Sequence, residues 1–204
     1  MICKPKLLLE ESAILPSAKK KALRAKLLVE RMRFASTLQR MRADVELAVH
    51  LANVLRWYSP RCLGFFWPVS AEFDVRPVVK HWLNGSTTRR AALPVIVTPH
   101  APMVYHTWIP SSPMKKGCYQ IPVPEHESSI MPDLLLAPCI GYDASRYRLG
   151  YGGGYFDRTL AAWPEHACLP ITVGIAYECS RIDSLPCGAH DLPLDMIVTD
   201  AICY

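Results

Sequence analysis

Six short apolar runs constrain the fold of this sequence more than any other feature. They are CLGFFW (62–67), ALPVIV (92–97), MVYHTW (103–108), LLLAP (134–138), ITVGIAY (171–177) and DMIVT (195–199). Each run is long enough for a buried strand and too short for a helix. Apolar strands separated by helices favour a largely parallel sheet that is covered on both faces. The sequence therefore predicts an α/β fold, a three-layer sandwich with a largely parallel central sheet and helices on both faces, in a single domain.

The first predicted helix starts at Ser17, because serine is a favourable N-cap residue, and extends through Met32. Its predicted buried stripe has helical spacing and consists of Leu23, Leu27, Leu28 and Met32. Residues 1–16, which end in a proline, are expected to form a loose amino-terminal extension. Residues 17–204 then form the domain.

Three further helices are predicted. The second covers about 42–57, with a helical repeat at Val45, Ala48, Val49, Ala52 and Leu55. The third extends from Pro77, a residue tolerated in a first helical turn, to Leu83. The fourth covers about 154–163. Residues 110–133 are rich in proline and serine, which favours a surface loop.

Positive charge is concentrated near the amino terminus. The chain has a net charge of +5, and residues 1–42 hold eleven Lys or Arg against three acidic residues. Such a segment can bind nucleic acid, an acidic membrane surface or an anionic small molecule. A solvated helix face is an equally good interpretation of the composition alone.

The eight cysteines are widely scattered, without a C-x-x-C pair or a zinc-like spacing with histidine. The three-leucine run near the amino terminus is too short for the core of a signal peptide. The chain has no apolar run of the roughly 18 residues that a membrane span requires. We therefore expect a reduced, cytoplasmic protein, whose cysteines mostly act as small hydrophobic residues.

The stretch RLGYGGGYFDR (148–158) holds four of the ten glycines of the chain within five residues. It lies between a predicted strand and a predicted helix, where open α/β sheets bind ligands. Glycine permits positive φ and close approach of a ligand, and successive N–H groups at a helix N-terminus can bind an anion. Arg148 can clamp phosphate oxygens. Asp157 would repel a phosphate unless Mg²⁺ lies between them.

Other interpretations of this stretch have to be considered. It is not a Walker A loop, because no G-K-[ST] follows, and it lacks the G-x-G-x-x-G order of a Rossmann fingerprint. A tight strand-to-helix turn, with Asp157 as a favourable charge in the first helical turn, also accounts for the residues taken alone.

RLGYGGGYFDR, preceded by LLLAPCIGYDASRY, resembles the signature of the 5-formyltetrahydrofolate cyclo-ligase (5,10-methenyltetrahydrofolate synthetase) family. Three other stretches resemble that family in the same order: KKKALR (19–24), WPVSAEFDVRPVV (67–79) and GAHDLPLDMIVTD (188–200). The resemblance covers about residues 17–200 and leaves residues 1–16 outside. Two positions depart from the family pattern: Phe156 replaces a common second tyrosine, and Tyr151 occupies a variable position that is often arginine.

The resemblance implies an ATP- and Mg²⁺-dependent ligase of one-carbon folate metabolism. Its substrate would be 5-formyltetrahydrofolate, with or without a polyglutamate tail, and its products 5,10-methenyltetrahydrofolate, ADP and phosphate. The formyl oxygen would attack the γ-phosphate to give an imidate phosphate, N10 would add to the activated carbon, and phosphate would leave. This chemistry needs positioning and charge neutralisation rather than a protein nucleophile. We also expect a monomer with no nucleic-acid or membrane partner.

The resemblance also assigns roles to individual residues. Lys20, Arg24 and Arg148 match ATP contacts, with Lys20 and Arg148 as the catalytic cations, and the matching phosphate loop consists of Gly150, Gly152, Gly153 and Gly154. Tyr155 would lie at the ATP site and against the folate ring, Glu72 and Tyr119 would contact folate, and Asp157 and Asp191 would bind Mg²⁺. Without the resemblance, Lys20 and Arg24 are solvated helix charges, Glu72 introduces a helix, and Asp191 is a turn residue.

Three rival functions follow from the same residues. A nucleic-acid-binding protein would use the basic segment 1–42, although no helix-turn-helix, RRM or zinc pattern supports it. A different ATP-using ligase or kinase would share the phosphate loop and differ at the segment around Glu72. A catalytically silent paralogue would retain folates without turning them over, although its intact Arg148, Asp157 and Lys20 argue against that.

Overall fold

The computed structural model describes residues 7–188 and 191–204. The helices of this part of the chain are α1 (Leu7–Ala35), α2 (Leu38–Tyr58), α3 (Arg76–Asn84) and α4 (Tyr155–Ala161). The strands are β1 (Cys62–Gly64), β2 (Arg90–Val95), β3 (Val104–Trp108), β4 (Met114–Lys116), β5 (Pro122–Pro124), β6 (Leu134–Pro138), β7 (Gly141–Tyr142), β8 (Arg148–Leu149), β9 (Ile171–Ile175) and β10 (Met196–Val198).

The central sheet has six strands in the order β10-β9-β6-β1-β2-β3. Neighbouring strands are parallel except for β3, which pairs antiparallel with β2 at one edge. All six come from the six apolar runs, so the predicted strands and the largely parallel sheet are confirmed. Two small hairpins, β4–β5 and β7–β8, lie outside this sheet.

Both faces of the sheet are covered. On β6, Leu134 and Leu136 belong to a core cluster with residues of α2 and α3, whereas Leu135 and Ala137 belong to a second cluster that includes Phe156 of α4. This division follows from the alternation of side chains along a strand. All four side chains are buried, so neither face of this strand is exposed to solvent. Helices therefore cover both faces of the sheet, which confirms the predicted three-layer architecture.

The strand order reverses between β1 and β6. From β1 the chain builds outward through β2 and β3, and from β6 it builds in the opposite direction through β9 and β10. Ligands of open α/β sheets bind beyond the carboxyl ends of the strands at such a reversal. The segments that follow β1 and β6 are therefore expected to form a ligand-binding site.

The amino-terminal boundary is corrected by the structure. Helix α1 begins at Leu7, ten residues before the predicted start at Ser17, and Pro16 lies within it. Leucine, glutamate and alanine between 7 and 15 favour a helix. The helix continues through Pro16, although an interior proline removes one backbone hydrogen bond and crowds the preceding turn. The loose extension predicted for residues 1–16 is therefore wrong for residues 7–16, and residues 1–6 lie outside the described part.

The predicted faces of the first two helices are partly wrong. Leu27 is buried and Leu23 and Leu28 are half-buried, but Met32 is exposed. On α2 the buried residues are Ala43, Leu47, Leu51, Val54 and Leu55, whereas Val45 and Val49 face outward. Helix α2 carries apolar residues on more than one face, and packing against α3 and β10 selects the buried one.

Other expectations are refined. Residues 110–133 contain the β4–β5 hairpin rather than loop alone. The described cysteines are unpaired, but only Cys62 and Cys139 are buried, so small hydrophobic packing accounts for two of them and not for most. No helix within residues 7–188 and 191–204 combines the length and the apolar character needed to cross a membrane.

Candidate active site

Residues from four parts of the chain meet beyond the carboxyl ends of β1 and β6. Glu72 lies in the segment after β1, and the glycine loop, residues 150–154, follows the β7–β8 hairpin that extends from β6. Helix α1 contributes one face to this site, since Lys20, Arg24, Leu27 and Arg31 are spaced by three or four residues. The segment before β10 contributes Asp191.

The conformation of the glycine loop requires glycine at two positions. Gly152 has a φ of +97° and Gly154 a φ of +64°, both in the left-handed region. A Cβ at Gly152 would lie 3.2 Å from Cζ of Arg24, whose Nε donates to the carbonyl oxygen of Gly150 at 2.6 Å. Gly154 is the N-cap residue of α4, so the loop leads directly into a helix N-terminus.

Arg148 is held at the start of this loop by Asp157. Its Nη2 donates to Oδ1 of Asp157 at 2.9 Å, and its Cζ lies 4.4 Å from the ring centroid of Phe156. The Arg148 side chain is 8% exposed, and its Nε has no hydrogen-bond partner among the described residues. A buried guanidinium with free hydrogen-bonding capacity is suited to bind an additional anionic group.

Lys20 forms a second ion pair at the site. Its Nζ donates to Oδ2 of Asp191 at 2.5 Å, and the backbone N–H of Gly188 donates to the same oxygen at 2.6 Å. Partial burial raises the pKa of Asp191, but these two donors and the charge of Arg148 outweigh it and hold the pKa below its usual value. Asp191 is therefore ionised at neutral pH.

The two carboxylates predicted to bind Mg²⁺ are each bonded to a cation. Within the described residues, no group of three or more His, Cys, Asp or Glu side chains could hold a metal ion by itself. Magnesium is commonly bound through one or two carboxylates together with phosphates of the substrate. Asp157 and Asp191 fit that mode of binding, in which nucleotide phosphates supply the other ligands.

Glu72 is nearly sealed from solvent, with a side chain that is 4% exposed. Its Oε2 accepts from the N–H of Val69 at 2.8 Å and its Oε1 from the hydroxyl of Tyr151 at 2.7 Å. Burial raises the pKa of Glu72, although these two donors and the nearby Arg31 oppose the rise.

The backbone that presents Glu72 is strained. Ser70 and Ala71 both have positive φ, at 48° and 60°. Arg40 of α2 holds this turn, because its two Nη atoms donate to the carbonyl oxygens of Ala71 and Glu72, each at 3.0 Å. Strain of this kind is retained where the surrounding structure fixes it, as is common at functional sites.

Two tyrosines predicted to contact folate lie together at the mouth of the site. The hydroxyl oxygens of Tyr119 and Tyr155 are 3.4 Å apart, and their ring centroids are separated by 6.4 Å. Tyr119 is 70% exposed and Tyr155 is half-buried, so both rings are accessible. Arg158 lies over the Tyr155 ring at 5.0 Å and also donates to the carbonyl oxygen of Gly153.

All predicted site residues thus lie within this arrangement: Lys20, Arg24, Glu72, Tyr119, Arg148, Gly150, Gly152, Gly153, Gly154, Tyr155, Asp157 and Asp191. Two aromatic residues just after β1, Phe66 and Trp67, are held by other contacts. Phe66 is part of the buried core, and Trp67 packs under the guanidinium of Arg76 at 4.5 Å.

Arg31 and Arg158 were missed by the sequence analysis, and Tyr151 was named there only as a departure from the family pattern. Arg31 is 5% exposed and donates to the Tyr151 hydroxyl at 2.6 Å. A signal existed for Arg31, because it follows the buried Leu27 by four residues and therefore shares its helix face. Arg158 lies in the helical turn after the glycine loop, and its position in the sequence does not indicate a contact with the loop.

Comparisons with known proteins identify the family to which this sequence is similar. A family model described as the 5-formyltetrahydrofolate cyclo-ligase family matches residues 16–200. A 5-formyltetrahydrofolate cyclo-ligase of Haemophilus influenzae is 27% identical over 172 residues, which cover 80% of this chain and 89% of the relative.

Two solved structures share the fold. The 5,10-methenyltetrahydrofolate synthetase of Aquifex aeolicus matches with a TM-score of 0.73 and 23% identity, over 90% of this chain and 91% of that one. The 5,10-methenyltetrahydrofolate synthetase of Mycoplasma pneumoniae matches with a TM-score of 0.68 and 24% identity, over 89% of this chain and 98% of that one.

Proposed function

The chain belongs to the 5-formyltetrahydrofolate cyclo-ligase family, and we propose that it converts 5-formyltetrahydrofolate into 5,10-methenyltetrahydrofolate with ATP and Mg²⁺ at the site described above. The products would be ADP and phosphate. One observation supports this most strongly: a glycine loop with two left-handed glycines, flanked by Arg148 and Lys20, lies at the strand-order reversal within hydrogen-bonding reach of Glu72.

The glycine loop would bind the phosphates of ATP. Its backbone N–H groups and the N-terminus of α4 supply partial positive charge, and Arg24 and Arg148 supply full charge on either side. In the transfer step, the formyl oxygen would attack the γ-phosphate and displace ADP, while Arg148 and Lys20 neutralise charge on the transferred group. N10 would then add to the activated carbon and lose its proton, and phosphate would leave, without a protein nucleophile.

Asp157 and Asp191 would hold Mg²⁺ together with the nucleotide phosphates. When bound, the ion would supply electrostatic stabilisation of phosphate charge. In the structure, Asp157 accepts a hydrogen bond from Arg148 at 2.9 Å and Asp191 accepts one from Lys20 at 2.5 Å, which fixes the positions of the two cations. Each aspartate therefore has a positioning role in addition to its proposed metal role.

The folate would lie between Glu72 and the tyrosine pair. A carboxylate has about four lone-pair positions, and two on Glu72 are taken by the Val69 N–H and the Tyr151 hydroxyl. The remaining positions can accept from paired N–H groups of the pterin. Tyr155, with Tyr119 beside it, offers an accessible ring for stacking, which contributes about 0.5–1.5 kcal/mol beyond buried area.

The arrangement of α1 supports a small anionic ligand over a nucleic acid. Lys20, Arg24 and Arg31 point into the site and bond to Asp191, Gly150 and Tyr151 rather than forming an open basic surface. The same cations would favour the glutamate tail of a folate. A monomeric state and a cytoplasmic location remain predictions.

The test is a direct assay with matched variants. Protein, Mg²⁺-ATP and 5-formyltetrahydrofolate are mixed, the absorbance of the methenyl product is followed, and ADP is quantified. We expect product and ADP in equal amounts, with a loss of activity in Arg148→Ala. Arg61→Ala serves as the control, because Arg61 is exposed at the amino end of β1, at the opposite edge of the sheet. ADP formed with another acceptor, but not with 5-formyltetrahydrofolate, would favour a different ATP-using ligase or kinase.

A further inference from the structure

Tyr151 connects the glycine loop to the buried carboxylate of Glu72. Its hydroxyl donates to Oε1 of Glu72 at 2.7 Å and accepts from Nη2 of Arg31 at 2.6 Å. The backbone of Tyr151 lies within the loop, between Gly150 and Gly152. The Tyr151 side chain is therefore a direct structural link between the loop backbone and Glu72.

Arg31 makes this connection part of the molecular interior. It is 5% exposed, its Nη1 donates to the carbonyl oxygen of Cys139 at 3.4 Å, and the same nitrogen lies 3.9 Å from Oε1 of Glu72. Its Nε has no partner among the described residues. Burying two opposite charges with one donor unsatisfied contributes little to stability. An ion pair of this kind calls for an explanation other than stability.

Tyr151 also connects the buried carboxylate of Glu72 to an exposed part of the chain. The Glu72 side chain is 4% exposed, whereas Tyr151, which contacts it, is 42% exposed. Burial and the charge of Glu72 raise the pKa of Tyr151, so its hydroxyl keeps the proton that it donates. The Tyr151 hydroxyl occupies one acceptor position on Oε1, so a ligand that uses this position has to displace it. The positive φ of Gly152 beside it shows that the backbone at this point depends on glycine.

We infer that Tyr151 is a positioning residue through which nucleotide on the glycine loop controls access of folate to Glu72. The inference rests on the proposed function, since it assumes that both ligands bind at this site. Phosphates that bind the loop N–H groups would move the Tyr151 hydroxyl away from Oε1 and open the carboxylate. Nucleotide and folate would then bind with positive coupling, which is reciprocal by thermodynamic linkage.

The experiment measures this coupling by calorimetry. The Kd of 5-formyltetrahydrofolate is determined with and without a non-hydrolysable ATP analogue and Mg²⁺, for the wild type and for Tyr151→Phe. In the wild type we expect the nucleotide to tighten folate binding by about 5–150-fold, the usual range for coupled sites. In Tyr151→Phe the ratio of the Kd without nucleotide to the Kd with nucleotide should approach one. The phenylalanine cannot bond to Oε1 of Glu72, so folate should bind more tightly even without nucleotide.

Tyr147→Phe is the matched control. Tyr147 is half-buried, lies four residues before Tyr151, and its hydroxyl makes no hydrogen bond with the described residues. The control should show the same ratio of folate Kd values, without and with nucleotide, as the wild type. A ratio in Tyr151→Phe equal to that of the wild type, with both ligands bound, would overturn the inference and leave the proposed function intact. Failure of the wild type to bind either ligand would instead contradict the proposed function.

Discussion

At the scale of single residues, the site depends on cations whose neighbours in sequence have no part in it. Lys20 is half-buried and paired with Asp191, whereas Lys19 and Lys21 on either side are exposed. The composition of KKKALR does not distinguish these three lysines. The helical spacing of α1 distinguishes them, because only Lys20 shares a helix face with Arg24 and Leu27.

Lys20→Ala should therefore raise the KM for ATP and lower kcat, together by about 10- to 100-fold in kcat/KM. The reason is the loss of a charge-assisted contact of about 1.5–3 kcal/mol to the transferred phosphate. Steady-state kinetics with varied ATP measures the effect. Lys19→Ala and Lys21→Ala are the controls and should match the wild type. An equal loss in all three variants would mean that Lys20 acts only through the general charge of the helix.

Asp157→Asn should lower kcat by about 100-fold and raise the Mg²⁺ concentration needed for half-maximal activity. The amide still accepts a hydrogen bond from Arg148 but loses the charge that binds the ion. Asp157 is partly exposed but Arg148 is buried, so loss of the charge should lower the unfolding free energy by about 1–3 kcal/mol, which leaves the fold intact. The exposed Asp183 provides the control variant Asp183→Asn. Unchanged Mg²⁺ dependence in Asp157→Asn would exclude Asp157 as a ligand.

Glu72 should leave a signature in the pH dependence of stability. The pKa of Glu72 in the folded protein is raised above the usual 4.5. As the pH rises above 4.5, Glu72 ionises in the unfolded chain before it ionises in the folded protein. The unfolding free energy of the wild type therefore falls. The loss continues until the pH passes the folded-state pKa and amounts to about 1.4 kcal/mol per unit of pKa difference.

Glu72→Gln does not titrate at this position and lacks that loss. The difference in unfolding free energy between the two proteins should therefore move in favour of glutamine as the pH rises from about 4.5. Urea unfolding of both proteins across this pH range gives the difference directly. A difference that does not change with pH would show that the pKa of Glu72 is not raised.

At the scale of elements, the glycine loop is the part whose chemistry was most readable from sequence. Four glycines before a helix predicted positive φ and close approach, and the structure places Gly152 and Gly154 in the left-handed region. The role of Tyr151 was not readable, because its partners Glu72 and Arg31 are 79 and 120 residues away in the chain.

Gly152→Ala should destabilise the loop by about 1–3 kcal/mol, because an alanine at a φ of +97° is strained and its Cβ would press on Arg24. Activity should fall with it. Gly85→Ala is the control for backbone strain, since Gly85 has an ordinary φ of −75° and its new Cβ would displace the guanidinium end of Arg89 from the carbonyl oxygen of Trp82. Thermal unfolding and ATP affinity are measured for both. A Gly152→Ala protein with wild-type ATP affinity would mean that the loop conformation is not needed for nucleotide binding.

Helix α2 shows why the buried face of a helix was harder to predict than its existence. Residues Val45, Val49 and Ala52 form one apolar stripe, and Ala43, Leu47, Leu51 and Val54 form another. Both have helical spacing, so periodicity alone does not select between them. The second stripe is buried because α3 and β10 lie on that side.

At the scale of the whole molecule, the apolar runs predicted the strands and the largely parallel sheet, since a strand buried on both faces has no polar alternation. They did not predict the strand order, which depends on contacts between distant segments. The reversal between β1 and β6 explains why Glu72 and the glycine loop, far apart in sequence, meet at one edge. The position of α1 beside the site was not predicted either, because it depends on tertiary packing. Leu27 of α1 belongs to a buried cluster with Ile140 and Leu149.

The most direct test of the central claim is a crystal structure of the chain with Mg²⁺, a non-hydrolysable ATP analogue and 5-formyltetrahydrofolate. We predict that the phosphates contact the N–H groups of residues 150–154, with Arg148 and Lys20 at the γ-phosphate and the pterin at Glu72. A triphosphate bound elsewhere, with this loop unoccupied, would contradict the account.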